Sequence, residues 1–234
     1  QCRQTEERVI LAALAVWADG SHEMLHYEIA KSESEAEWSH FFQQLIARGL
    51  APQTVKLVVS DGTLGLPKAM QQHLPQAQQQ RCITHKVRGL ERYLDYAELP
   101  TLSAEGEVLS PEASKHQRRH EIKSQAYEIY KAESLELAQQ RLATFLETWQ
   151  PLEPRAVKAF QRHLDLTFTF YQFGTDLHHH IRTTNHIERL FREFRTKSDE
   201  IGAFPHETSC LTVFFLVVQR DHAKHNRKNM AKNS

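Results

Sequence analysis

The sequence stops alternating at Ser110, and that break constrains the fold more than any single motif. Before it, strand-like and helix-like segments take turns; after it, nothing reads as a strand. Arg8–Trp17 is a β-branched and aliphatic run, and Ala18-Asp19-Gly20-Ser21 follows it as a hairpin turn. Glu23–Ala30 reads as the returning strand. Ser34, with Glu37 three residues on, matches a capping box. Trp38, Phe41, Phe42, Leu45 and Ile46 then recur at helical spacing, predicting a helix to about Arg48. Val55–Val59 predicts a short buried strand, Leu64–His73 a second helix stopped by Pro75, Gln80–Ile83 another strand, and a helix continues through Tyr93. Beyond the break, Lys115–Ala132, Ser134–Thr148 and Pro154–Phe170 read as consecutive helices. Asn185–Thr196 and Glu207–Lys224 follow after Gly174. The fold class is therefore α/β with an all-helical segment set into it.

The chain has 234 residues, enough for one core or a core with a small appended unit. Its hydrophobic fraction of 40% and formal net charge of zero are ordinary for a globular protein. The charge distribution says more. Acids gather early (Glu23, Glu28, Glu33, Glu35, Glu37), and bases gather at Lys115–Lys123, Arg182–Lys197 and Arg220–Lys232. Such asymmetry fits a local basic groove. Three scattered cysteines (Cys2, Cys82, Cys210) argue against a disulfide framework and for a reducing compartment. No run approaches the roughly 20 apolar residues of a membrane span, and no signal peptide is evident, so a cytoplasmic location is expected.

The stretch Arg182-Thr183-Thr184-Asn185-His186-Ile187-Glu188-Arg189-Leu190-Phe191-Arg192-Glu193-Phe194-Arg195 places carboxylates on a helix rich in arginine. Acids in that setting suit a divalent cation beside a phosphodiester. Ile187, Leu190, Phe191 and Phe194 form its apolar face. Glu188 and Glu193 flank that face on opposite sides, each roughly 110° from its centre at about 100° per residue. Arg189 is expected to point away from the core. Both glutamates could equally be solvated acids paired with Arg192 or Lys197. Asp61, where Val58-Val59-Ser60 runs out into Gly62, lies where ligands gather in open α/β sheets; its alternatives are a turn residue or a helix N-cap. Asp19 reads as a turn residue.

Cys82-Ile83-Thr84-His85 offers too few ligands for structural zinc, and Cys82 could be a buried thiol. His178-His179-His180 point in different directions. Lys115, Arg118, Arg119 and Lys123 form a basic helix that is either a solvated face or a phosphate contact.

Together Val58–Gly62, Gln80-Arg81-Cys82-Ile83-Thr84-His85-Lys86 and Arg182–Arg195 resemble the bacterial Mutator-like insertion-sequence transposases of the DDE class. The hairpin Val16–Gly20 and the segment Lys31–Trp38 also look familial. The resemblance implies a ribonuclease-H-like mixed sheet with flanking helices. Residues 1–95 would form the first part of that core, 96–180 an all-helical insertion, 181–224 the C-terminal helices and 225–234 a polar tail. It implies Asp61 and Glu188 as catalytic metal ligands, with Glu193 in reserve, and Cys82 and His85 as the family's C-x-x-H pair. Two Mg²⁺ ions are expected, with strand cleavage and joining by metal-dependent phosphoryl transfer. DNA, both element ends and target, is the expected partner, contacted by Arg182, Asn185, Arg189, Arg192 and Arg195. A homo-oligomer on DNA, associated with the nucleoid and not with a membrane, is expected. The family's first aspartate has no counterpart in Gln1–Glu7, so the chain is expected to be inactive in strand transfer alone. The competing expectation is a non-catalytic DNA-binding or oligomerisation remnant.

Overall fold

A computed structural model of the chain describes residues 8–102, 106 and 108–232, the side chains of 225–232 excepted. Gln1–Glu7, on which the expectation of a missing aspartate turned, lies outside the described residues, as does Cys2. The chain divides into two compact units, one made of residues 1–79 with 179–234 and the other of residues 80–178.

In the first unit, β1 (Val9–Val16) and β2 (His22–Ala30) form an antiparallel hairpin running from Val9 opposite Ala30 to Val16 opposite His22. A bulge falls between Ala13 and Leu14. Asp19 is the turn residue expected of it: its Oδ1 accepts the Ser21 amide at 2.9 Å and the Ser21 hydroxyl at 2.6 Å. Those bonds hold its carboxyl below the usual aspartate range.

The sequence of β1, VILAALAV, has no polar alternation because both its faces are covered. Val9, Leu11 and Ala13 pack with α1 (Glu35–Ala47) and α2 (Leu66–His73), whose contributions include Phe41, Phe42, Leu45, Leu66 and Met70. Ile10, Ala12 and Leu14 pack on the opposite side with α8 (Asn185–Ile201) and α9 (Glu207–Lys232), through Leu190, Phe194, Phe214 and Val217. The unit is thus three layers, helix pair, hairpin, helix pair. Ser34 caps α1 by accepting the Glu37 amide at 3.3 Å. Gly65 lets α2 start against α1: a Cβ there would lie 2.5 Å from the Glu35 nitrogen and the Ser34 carbonyl carbon.

A second pair joins β3 (Leu57–Ser60) to β4 (Gln78–Arg81), with the Gln78 amide donating to the Lys56 carbonyl at 2.9 Å. β4 lies two residues upstream of the expected Gln80–Ile83, because Cys82 already sits at the N-cap of the next helix. One mixed sheet was expected; among the described residues the named strands form two separate two-stranded sheets, β1 with β2 and β3 with β4.

The second unit is helical beyond β4. α3 (Ile83–Arg88) tightens into a 3₁₀ turn, Gly89–Tyr93, where a continuous helix was expected. α4 (Pro111–Ile129) begins four residues before the expected Lys115, with Ser110 accepting the Ala113 amide and Pro111 in the first turn. α5 (Leu135–Trp149) is capped by Ser134. The helix expected over Pro154–Phe170 is a correction: α6 (Pro154–Gln161) stops at an extended Arg162 and a left-handed His163, φ 52°. Two 3₁₀ turns, Asp165–Thr167 and Thr169–Gln172, replace its second half. Buried Gln80 supplies what the helix loses, donating to the Thr167 carbonyl at 3.0 Å and accepting the Phe170 amide at 2.8 Å.

Lys86 holds the end of α6. Its ammonium donates to the carbonyls of Ala159, at 3.3 Å, and Arg162, a cation at a helix C-terminus. Burial first, then Arg81 and Arg162, lowers its pKa to about 8. The unfolded chain would keep that proton to about 10.5. Between those values the folded state binds fewer protons, so stability should rise with pH. Urea denaturation at pH 7 and 9.5 should show this gain, and Lys86→Met should lack it. Equal pH dependence in the two proteins would remove Lys86 as the cause.

A short helix, α7 (His178–Ile181), leads back to the first unit. The final helix, expected to end at Lys224, continues to Lys232. No described helix is long and apolar enough to cross a membrane.

Candidate metal centre and nucleic-acid interface

Asp61 and Glu188 both belong to the first unit, on either side of the 80–178 segment in sequence. Asp61 follows β3 directly and is exposed. Gly62 takes φ 105°, which turns the chain back sharply. Asp61 Oδ1 accepts both the Thr63 amide, at 3.2 Å, and the Thr63 hydroxyl, at 2.9 Å. This is the turn role among the expected alternatives. The N-cap alternative is not realised, since Gly65 occupies the N-cap of α2. Both donors fall on one carboxylate oxygen, a geometry that orients the group without capturing it.

Glu188 stands in the first turn of α8, half-buried, its Oε1 accepting the Thr184 hydroxyl at 2.7 Å. An acid there is favoured by the helix dipole. The residues around it are anchored to α9. His186 lies 3.2 Å from Asp221 Oδ2, and the Arg189 guanidinium donates to Asp221 Oδ1 at 3.1 Å. Asp221 is only 6% exposed. The His22 ring of β2 stacks on His186 with centroids 4.4 Å apart, and His180 lies 4.9 Å from His22. Arg189, expected to point away from the core, is exposed as expected, and its guanidinium reaches along the surface to the carboxylate of Asp221.

Asp221 was missed in the sequence although it carries a signal. It lies in register with Phe214 and Val217 on the buried side of α9, an acid on an apolar face.

Glu193 pairs with Lys224 of α9 at 3.5 Å rather than with Arg192 or Lys197. Lys197 pairs with Glu200. Asn185, Arg192 and Arg195 are exposed on α8, and Arg182 is half-buried before it. Glu188, Arg192 and Arg195 recur at helical spacing, so an acid and two guanidinium groups share one side of the helix.

Cys82 and His85 lie in the second unit. Cys82 is fully buried, and its Sγ lies within 4.8 Å of a His85 ring nitrogen one helical turn on. The histidine run was expected to diverge, and it does so only in part: the His179 and His180 rings lie together, with centroids 3.6 Å apart. His178 bonds the Phe173 carbonyl at 3.0 Å, whereas His180 sits against Gly20 and His22. Burial first, then His179, lowers the His180 pKa.

Fold and site define a mixed α/β protein that carries carboxylates on an arginine-rich helix. Its residues 2–228 match the family described as Transposase, Mutator family, and the chain belongs to that family. It is 35% identical over 195 residues to the transposase for insertion sequence element IS905 of Lactococcus lactis, covering 83% of this chain and 44% of that protein. It is 30% identical over 217 residues to the ISRM5 transposase of Rhizobium meliloti, covering 92% and 48%. Against the IS6120 transposase of Mycolicibacterium smegmatis the identity is 30% over 193 residues, covering 82% and 53%. The chain thus spans about half the length of these curated relatives.

Proposed function

We propose that this chain is the catalytic part of a DDE transposase with a ribonuclease-H-like core, acting on DNA by metal-dependent strand cleavage and joining. The observation that carries the reading is that Asp61 and Glu188, far apart in sequence, belong to one three-layer unit of a Mutator-family chain. Their donor set fits Mg²⁺, a hard cation that prefers carboxylate and water oxygens. Two such ions would supply an activated nucleophile and charge neutralisation at the leaving oxygen. Asp61 and Glu188 serve as ligands, Thr63 and Thr184 fix their carboxylates, and Arg192 and Arg195 neutralise the phosphodiester beside them. A second copy of the chain on the DNA is part of the same reading.

Mn²⁺ binding, followed by electron paramagnetic resonance on the purified chain, tests it. Asp61→Asn and Glu188→Gln should each weaken binding about tenfold or more, the loss of a charged ligand being worth at least ~1.4 kcal/mol. Glu193→Gln should not, because its partner is Lys224. Unchanged binding in the first two variants would sink the metal assignment and favour a non-catalytic DNA-binding remnant.

A further inference from the structure

The helical unit contains a groove of about 600 Å³ that the catalytic reading does not use, lined by Glu91, His116, Arg119, His120, Lys123 and Lys131 among others. Most of these lie on α4. Positions 116, 119, 120, 123 and 127 form one stripe of the helix, centred roughly 120° around from the side that buries Arg118, Ile122, Ala126 and Ile129. Arg119 sits at the border between the two.

The cations around this groove have partners, with one exception. Lys123 pairs with Glu91, and Lys131 with Glu128 at 2.5 Å. Arg118, on the buried side, pairs with Glu153. Arg119 forms no ion pair or hydrogen bond among the described residues, and its Nε is a buried atom without an acceptor. That Nε is closed off from solvent, whereas Arg119 as a whole is half-buried, so a phosphate would meet its terminal guanidinium nitrogens, which have no carboxylate among the described residues to compete for them. The imidazoles of His116 and His120 flank Arg119 along the stripe, adding donors suited to an anion.

We infer that this groove binds the phosphodiester backbone of DNA, with Arg119 as its central contact. The inference rests on the reading of the chain as one that acts on DNA, which selects DNA over other sources of phosphate. Guanidinium matches phosphate through paired N–H donors. From His116 to Tyr127 the stripe rises about 16 Å, the axial length of about five phosphates of one strand. Phosphate oxygens would also compete with Glu91 for Lys123, so binding would loosen that pair. The charged donors of the groove, Arg119, Lys123 and Lys131, match phosphate oxygens, so contact is with the backbone and independent of sequence.

The test uses the purified 234-residue chain, a fluorescent DNA duplex and anisotropy across a salt series, in EDTA so that the Asp61 and Glu188 site plays no part. Arg119→Gln should weaken binding about three- to tenfold at low salt. It should also flatten the slope of log affinity against log salt by about one. Ser124→Glu, an exposed position lining the groove, should weaken binding without touching the core, and serves if Arg119→Gln fails to fold. Parent-like affinity and slope in a folded Arg119→Gln and in Ser124→Glu would overturn the groove while leaving the catalytic reading intact. Absence of DNA binding by the unmodified chain would overturn both. Inorganic phosphate, exchanged for chloride at equal ionic strength, should not release the duplex; release at low millimolar phosphate would make the ligand a small anion and overturn the DNA assignment.

Discussion

Truncating Glu153 to alanine is expected to destabilise the helical unit by about 3–5 kcal/mol, the range for removing one partner of a buried ion pair. Glu153 is fully buried, and Arg118, only 4% exposed, donates to it at 3.1 Å. The second carboxylate oxygen accepts the Asp95 amide at 2.7 Å, so the side chain also ties the segment ahead of α4 to the start of α6. Arg118 in turn donates to the Glu98 carbonyl at 2.8 Å and lies over the Trp149 ring at 5.6 Å. Removing the acid leaves a guanidinium that water cannot reach. Chemical denaturation should report the loss, and amide exchange should place it in α4 and α6. The double variant Arg118→Met, Glu153→Leu should recover part of it, since an apolar pair avoids the desolvation of both charges. Recovery should be incomplete because the Asp95 amide and the Glu98 carbonyl lose their partners. A single-variant cost under about 1 kcal/mol would mean that water reaches the pair.

Much of this architecture is written in local sequence. The apolar run of β1, the Asp19-Gly20 turn and the caps at Ser34 and Ser134 are short-range effects, and the chain adopts them. The start of α4 was expected four residues late, at Lys115, although Ser110-Pro111 carries the local signal of an N-cap followed by a first-turn proline. The end of α6 was not legible. From Pro154 to Phe170 the sequence has helical periodicity, but the chain leaves it at Arg162 and His163. There Lys86, distant in sequence, takes the last carbonyls, and Gln80 bonds Thr167 and Phe170 beyond. The same limit applies at the site. Glu188 and its arginines are visible as a motif, and Asp61 as the residue that ends a strand. That His186 and Arg189 share a buried acceptor depends on how α8 packs on α9, which no single helix records.

Asp221→Ala should therefore cost about 1–3 kcal/mol, less than Glu153→Ala because Arg189 remains partly solvated. Its greater consequence is local. The two residues that bracket Glu188 on α8 would lose their common anchor, leaving Thr184 and the apolar seam of Leu190, Phe194 and Phe214 to hold the first turn. A metal ligand displaced by even about 1 Å loses much of its value. Mn²⁺ affinity should therefore fall in Asp221→Ala although no ligand has been removed. Asp221→Asn, which keeps an acceptor for Arg189 or His186, should retain more of both affinity and stability. The dependence separates two roles for Asp221. If stability falls but Mn²⁺ affinity in the folded protein does not, Asp221 only fastens α8 to α9. If both fall together and asparagine restores them together, Asp221 positions Glu188, and the buried acid on the apolar side of α9 belongs to the catalytic unit.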